Sequence, residues 1–382
     1  MIQNSAGIVC VLALIVAGIV FFSEHPKTQR FFKFPPSLFW IYFLPMLVVG
    51  FGVLPQQHAI YAKITGTALP AGLILLLIST DMKAILKLGR PALLMMFTGS
   101  LGIMIGAPLV VMLLKPWLPA EAWSGFGALS ASWIGGSANM IAVKEVIHTP
   151  DTVFFPMIVV DTVVAYSWMG FLILLEGFQK QYDRWNRSDV RVVEELVRKS
   201  ALVDAGTKKF NIQHLPLILA VAFGGAWISS KLAIVVGDGS SGWTIVLAST
   251  LGILLSFTSL RKLELHGASR VGYLLLFLVL TSIGARASLS GILSAPVLIL
   301  GGVLLVLIHG VFLLTVSRIA RVPLCLVATA SQANIGGPAS APIVATAYEP
   351  ALAPVGLLLG ILGNVMGTYL GLITSQLCKW VS

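Results

Sequence analysis

A chain of 382 residues that is 57% hydrophobic and only 10% charged departs from soluble domains, in which about a quarter of residues are charged. Its apolar residues run in blocks of roughly 17 to 25, the length that crosses about 30 Å of hydrocarbon as a helix, so a soluble enzyme and a nucleic-acid binder are both excluded. The net charge of +10 is carried between the apolar blocks, where orientation in a bilayer accounts for it.

In chain order the blocks cover residues 7–22, 38–54, 64–80, 92–114, 122–147, 152–175, 215–236, 243–259, 271–285, 292–316, 323–348 and 351–377, twelve in all. No Lys or Arg precedes the first block and no small-residue cleavage signature follows it, which predicts a retained span in place of a signal peptide. Cys10, Cys325 and Cys378 lie in or beside apolar blocks without ligand-like spacing, so neither a disulfide nor a metal site is expected. Between the sixth and seventh blocks lies the one sizeable polar segment, 176–213. Within it Val193, Leu196, Val197 and Ala201 recur at helical spacing between a capping Ser188 and a terminating Gly206, predicting a surface helix from Asp189 to about Asp204.

That segment separates two halves that resemble each other. SASWIGGSANM, Ser130 to Met140, matches TASQANIGGPASAP, Thr329 to Pro342; Gly135 and Gly136 pair with Gly336 and Gly337, Ser132 with Ser331, Asp161 with Asn364 and Tyr166 with Tyr369. One offset of about 200 residues covers all of them, which is the mark of an internal repeat. The first repeat is 1–176, the linker 177–213 and the second repeat 214–382.

Lys and Arg gather on the cytoplasmic side of short loops. If all twelve blocks cross the membrane, the basic loops fall on opposite sides. If the blocks at 122–147 and 323–348 each enter and leave on one side, every Lys and Arg faces one way except Lys63, Lys115, Lys144, Lys231, Arg286 and Lys379. The second scheme has five crossings per half, so the halves are inverted relative to each other and 177–213 is cytoplasmic. Irregular backbone at membrane depth survives only where it is buried in protein or lines a wet cavity. Both blocks carry a break at their centre: Gly135, Gly136 and Ser137 in one, Gly336, Gly337 and Pro338 in the other. Glycine permits the turn and proline removes a donor. Paired interruptions in two inverted halves point to a transporter's binding site.

IGGSAN within the first motif and SQANIGGPASAP in the second resemble the paired signatures of the YjcL-like family of bacterial and plastid membrane proteins, long catalogued as a domain of unknown function. The likeness covers essentially the whole chain. That family is grouped with the cation/proton antiporter and anion transporter superfamily, similar in plan to the sodium-coupled glutamate and citrate symporters. The resemblance implies an all-α polytopic membrane protein with an elevator-type transporter fold: a mobile core from 91–176 and 291–378, a fixed scaffold from 1–90 and 214–290, and assembly as a homodimer. Since other members of the superfamily use a broken helix at this place, 122–147 and 323–348 are either re-entrant hairpins or broken helices.

Ionisable residues inside the hydrocarbon are functional until shown otherwise. Asp161, near the middle of its block, and its counterpart Asn364 offer hard oxygen ligands that Asn139, Asn334 and backbone carbonyls would complete into a small cation site. Ser130, Ser132, Ser137, Asn139, Thr329, Ser331, Gln332, Asn334 and Ser340 form the polar lining of the two tips, and the expected substrate site is Ser130, Ser132, Gly135, Gly136, Ser137, Asn139, Ser331, Gln332, Asn334, Gly336, Gly337 and Ser340. Some of these hydroxyls are expected to bond their own helix. A short half-helix opening after each Gly-Gly presents free amides to an anionic group. His309, in LLVLIHGVFLL, reads as bonded to a backbone carbonyl in preference to a proton relay. The expectation is a secondary active transporter, not an enzyme, moving a small organic anion, amino acid or short peptide with sodium or protons, in the bacterial inner membrane, needing no cofactor beyond a sodium ion. An intramembrane enzyme and a passive pore are the alternatives.

Overall fold

The computed structural model describes residues 1–32, 37–86, 88–189, 191–193, 212–286 and 295–382, and those residues form helices and turns with no strand among them. Among the described residues each of the twelve apolar blocks contains a helix, as expected where only intrachain bonds can satisfy the backbone. The helices are α1 (Ser5–Glu24), α2 (Ser37–Gly50), α3 (Ala59–Ile78), α4 (Met82–Leu86), α5 (Arg90–Leu114), α6 (Ala122–Gly135), α7 (Ser137–Val146), α8 (Asp151–Leu174) and α9 (Gln179–Asn186). After the polar segment come α10 (Leu215–Val236), α11 (Ser241–Ser256), α12 (Ala268–Arg286), α13 (Ala295–Ala320), α14 (Leu324–Ile335), α15 (Gly337–Tyr348) and α16 (Ala353–Val381). Among the described residues, eight helices are long and apolar enough to cross a bilayer. α11 becomes a ninth when joined to the 3-10 helix Ser259–His266, which bends away from it by 95°. α2 has 14 residues, short of the roughly 20 a full span needs. The surface helix expected from Asp189 falls largely on 194–211, outside the described residues; the described polar helix is α9, which ends at Arg187 in the left-handed region, φ 55°.

The chain divides into two compact units, each gathered from three separated stretches. One comprises Met1–Ser79, Pro150–Thr162 and Thr207–Leu293. Its core brings Ala71, Ile74 and Leu75 of α3 against Ile218, Ala222 and Ala226 of α10, Ala248 of α11 and Val271 of α12. α3 and α12 cross where neither has a side chain: a Cβ on Gly72 would stand 3.1 Å from the Gly272 carbonyl, and the reverse holds for Gly272. In lipid, where apolar contact alone favours no helix pair, such close backbone approach is what holds spans together. Near the ends of α8 and α12, Arg286 Nε lies 3.8 Å from Asp151 Oδ2.

The other unit comprises Thr80–Thr149, Val163–Gly206 and Ser294–Ser382. α5 and α13 pack along a seam of small residues, with Gly99, Gly102 and Gly106 lying under His309, Phe312 and Leu305. α6, α7, α14 and α15 fill this unit's centre around α16, and the buried core includes Met95, Met96, Leu326, Ala333, Ala341, Val355 and Leu359.

Candidate binding site at two helical hairpins

α6 and α7 are the two legs of one hairpin. The Thr149 hydroxyl, just past the second leg, donates to the carbonyl of Ser124 at the start of the first, 3.3 Å away. A Cβ on Gly127 would lie 3.5 Å from Ile147 Cδ1, and Gly371 of α16 faces Ala131 of one leg and Val143 of the other. The chain therefore comes back to where it set out. Its turn is Gly136, at φ 82° and ψ 171°, a region essentially reserved for glycine that costs a residue with Cβ about 1–3 kcal/mol.

α14 and α15 repeat the arrangement. Ala328 and Val344, on opposite legs, meet Leu172 in one cluster, and Gln332 Nε2 donates to Ser340 Oγ across the tip at 2.8 Å. The positive φ again falls on the second glycine, Gly337 at 64°, whereas Gly336 has φ −117°. Of the two shapes left open by the sequence, the backbone takes the hairpin in both blocks. The tips meet, since a Cβ on Gly337 would lie 3.9 Å from Gly136 Cα.

Both hairpins rest on one helix. α16 carries Gly356, Gly360, Gly363, Gly367 and Gly371 at spacings of three and four, one face of a helix. Gly356 faces Ala341 and Pro342, Gly360 faces Gly337 and Pro338, and Gly363, Gly367 and Gly371 face Ile134, Gly135 and Ala131 in turn. A Cβ at Gly360 would come within 2.6 Å of Pro338 Cα, and one at Gly367 within 2.7 Å of Gly135 Cα. Sequence reasoning missed this stripe, although the repeated small-xxx-small spacing in GLLLGILGNVMGTYLG is the signal that would have found it.

The expected site residues divide by what their polar atoms already do. Ser130 and Thr329 donate to Phe126 and Cys325 in their own helices, at 2.7 and 2.6 Å. Asn139 clamps the first hairpin to α16: its amide donates to the carbonyls of Gly135 at 2.5 Å and Asn364 at 3.3 Å, while its Oδ1 accepts from the Thr368 hydroxyl at 2.5 Å. Asn334 donates to Ser100 at 2.9 Å, with its Oδ1 turned against Gly99 and unpartnered. Ser331 is held by Trp168 Nε1 at 2.9 Å and by His309 Nε2 at 2.9 Å, and His309 Nδ1 faces the Gly99 carbonyl at 2.9 Å. The histidine is thus bonded to a carbonyl as expected, and its pairing with Ser331 was not visible in the sequence. Ser132 is buried in the first leg, and Ser137 opens α7 half-buried at the tip.

What remains facing open space is Gln332, Ser340, Gly336 and, on α8, Ala165, Tyr166 and Met169, which line a cavity of about 100 Å³. Gln332 is buried and its Oε1 has no partner, an acceptor that calls for a donor or a cation. Asn364 is half-buried, and its Oδ1 lies 3.3 Å from where a Cβ on Gly136 would stand. Asp161 is half-buried in the stretch of α8 that belongs to the first unit, whereas the hairpin residues belong to the second. Among the described residues no group of three or more His, Cys, Asp or Glu is placed to hold a metal ion.

A chain whose described residues are helical, with at least eight helices among them able to span a bilayer, is a polytopic integral membrane protein. A family model described as protein of unknown function (DUF819) matches residues 10–381, and the chain belongs to that family. It is also similar to the "Uncharacterized membrane protein YjcL" of Bacillus subtilis (strain 168), 27% identical over 352 residues that cover 85% of each chain.

Proposed function

We propose that the protein is a secondary active transporter of a small organic anion, amino acid or short peptide, driven by sodium or protons. The observation carrying this reading is the meeting of two helical hairpins, tip to tip, on one glycine-faced helix. Such broken backbone inside a membrane unit is tolerated where it lines a cavity, and each tip opens the N-terminal end of a half-helix, α7 or α15, whose first amides suit an anionic group. The matching landmarks of the two halves support an inverted repeat, and with it we propose an elevator mechanism, a cytoplasmic linker and a homodimer as the working form.

Size decides what this cavity, open on the side of Ala339 and Ile343, can take. Ligand pockets run to about 300 Å³ or more, so the roughly 100 Å³ beside Gln332 suits a coupling ion with water, and a substrate needs the tips to part. For the coupling ion, Asn364 and Gln332 Oε1 are the proposed oxygen ligands in the second unit, and Asp161, in the first, is the proposed charged group. The test is thermal melting of purified protein against carboxylates and amino acids, with and without sodium. A ligand at a hundred times its dissociation constant adds about 2.7 kcal/mol; flux that neither saturates nor depends on an ion gradient would instead establish a pore.

One observation favours a second reading, an intramembrane hydrolase: the Ser331–His309 pair has the spacing of a nucleophile and its base. The hydroxyl is buried and already accepts from Trp168, which opposes that role. Covalent labelling of Ser331 by a fluorophosphonate would establish the enzyme.

A further inference from the structure

Away from the tips, the second unit holds a larger cavity of about 250 Å³, lined by Trp168, Phe171, Leu172 and Leu175 on one side, by Gly310, Leu313 and Leu314 of α13, and by Leu324, Val327, Ala328 and Ser331 of the first leg of the second hairpin. Phe178 and Tyr182 continue it toward the polar end. Along α14 it reaches from Leu324 to Ser331, roughly 10 Å at 1.5 Å per residue. Its lip is open, for Phe171 is 47% exposed and Leu174 and Phe178 more so. The one hydroxyl at its inner end, Ser331 Oγ, is already held by His309 and Trp168, so the lining asks nothing of an occupant except that it be apolar.

The outer end is built differently. The end of α9 is stitched to the α13–α14 turn: Asn186 donates to the Val322 carbonyl at 2.9 Å, Asp183 accepts from the Leu324 amide at 3.0 Å, and the Asp189 amide donates to the Arg321 carbonyl at 3.0 Å. Arg318 donates to the Trp185 carbonyl at 2.6 Å and lies over the Trp185 ring, 4.4 Å from its centre. Tyr182 bonds Ser317 at 2.9 Å. Arg184, Arg187, Arg318 and Arg321 are all exposed here, against the carboxylates of Asp183 and Asp189. Aromatic rings at the end of a span mark the headgroup level, and clustered arginines beside it attract anionic lipid.

We propose that this groove holds one acyl chain of an anionic phospholipid whose phosphate rests on the arginines of the α9 end and the α13–α14 turn. An apolar slot in a membrane span, closed at its inner end and crowned by net positive charge at the interface, has the chemistry of a lipid from tail to headgroup. Because one wall is the first leg of the second hairpin, occupancy bears directly on that hairpin, whatever passes its tip.

The test uses the full chain in detergent with phosphatidylglycerol carrying a diazirine near the end of one acyl chain, photolysed and mapped by peptide mass, beside phosphatidylcholine with the same chain. Label is expected in 168–182, 310–314 and 324–331, severalfold stronger with phosphatidylglycerol and displaced by unlabelled phosphatidylglycerol but not by phosphatidylcholine. Replacing Arg318→Gln and Arg321→Gln together should reduce it to the phosphatidylcholine level. Label spread evenly over the lipid-facing helices, or equal for the two headgroups, would overturn the proposal, and so would a headgroup preference that survives loss of both arginines. The comparison of lipids on the unaltered chain decides the matter even if the variant does not fold.

Discussion

Asn139 has no atom left for a ligand: three bonds tie it to Gly135, Asn364 and Thr368. Asn139→Ala strands two buried carbonyls and a hydroxyl, so an apparent loss of about 2 to 3 kcal/mol is expected, against about 1 for Thr368→Val, which removes one bond. Thermal melting of both variants in the same detergent checks the order, and equal losses would mean that the amide adds nothing beyond its bond to Thr368. Gly136→Ala tests the tip. The positive φ with extended ψ costs about 1–3 kcal/mol, and the new methyl would stand 3.3 Å from Asn364 Oδ1, so the fold should survive while stabilisation by substrate and ion disappears. Unaltered ligand-dependent melting in this variant would remove the tip from the binding site.

At the scale of the element, the hairpin is the claim most open to direct measurement. Cysteines at Ser124 and Thr149, in a chain without Cys10, Cys325 and Cys378, should be joined by a short bifunctional reagent, because these positions share a hydrogen bond at 3.3 Å. A straight helix would hold them nearly 40 Å apart at about 1.5 Å per residue. The side on which α9 ends is tested by an impermeant thiol reagent at Arg187 and Lys115, both exposed, which should react from opposite faces. Asn186 is fully buried and would report nothing. The breaks were legible because Gly-Gly flanked by Ser and Asn is a local signal. The destinations of Asn139 and His309 were not, since Asn139 and Thr368 lie 229 residues apart in the chain and His309 and Ser331 stand on different helices. Nor does any local pattern show that 150–162 is counted with the first unit while the rest of α8 belongs to the second.

For the whole molecule, the coupling ion is the decisive question, and Asp161→Asn addresses it by keeping size and one oxygen while removing the charge. Uptake into proteoliposomes, titrated with sodium at two pH values, should show a steep rise in half-saturation for the coupling ion with the protein still folded. Identical half-saturation in the variant would move the cation site to Gln332, Asn364 and the backbone near Gly336. The glycine face of α16 has a further consequence, for the evolution of the chain. Positions that touch backbone with backbone accept no larger residue, whereas neighbours directed at lipid accept almost any apolar one. A saturation library scored by the abundance of a fluorescent fusion should therefore show a ladder of forbidden sites at 356, 360, 363, 367 and 371. Leu357, between the first two rungs, and Ile373, just past the last, which are 42% and 50% exposed, should drift freely among aliphatic residues. Natural variation in this helix is thus expected to be confined to the face turned away from both hairpins.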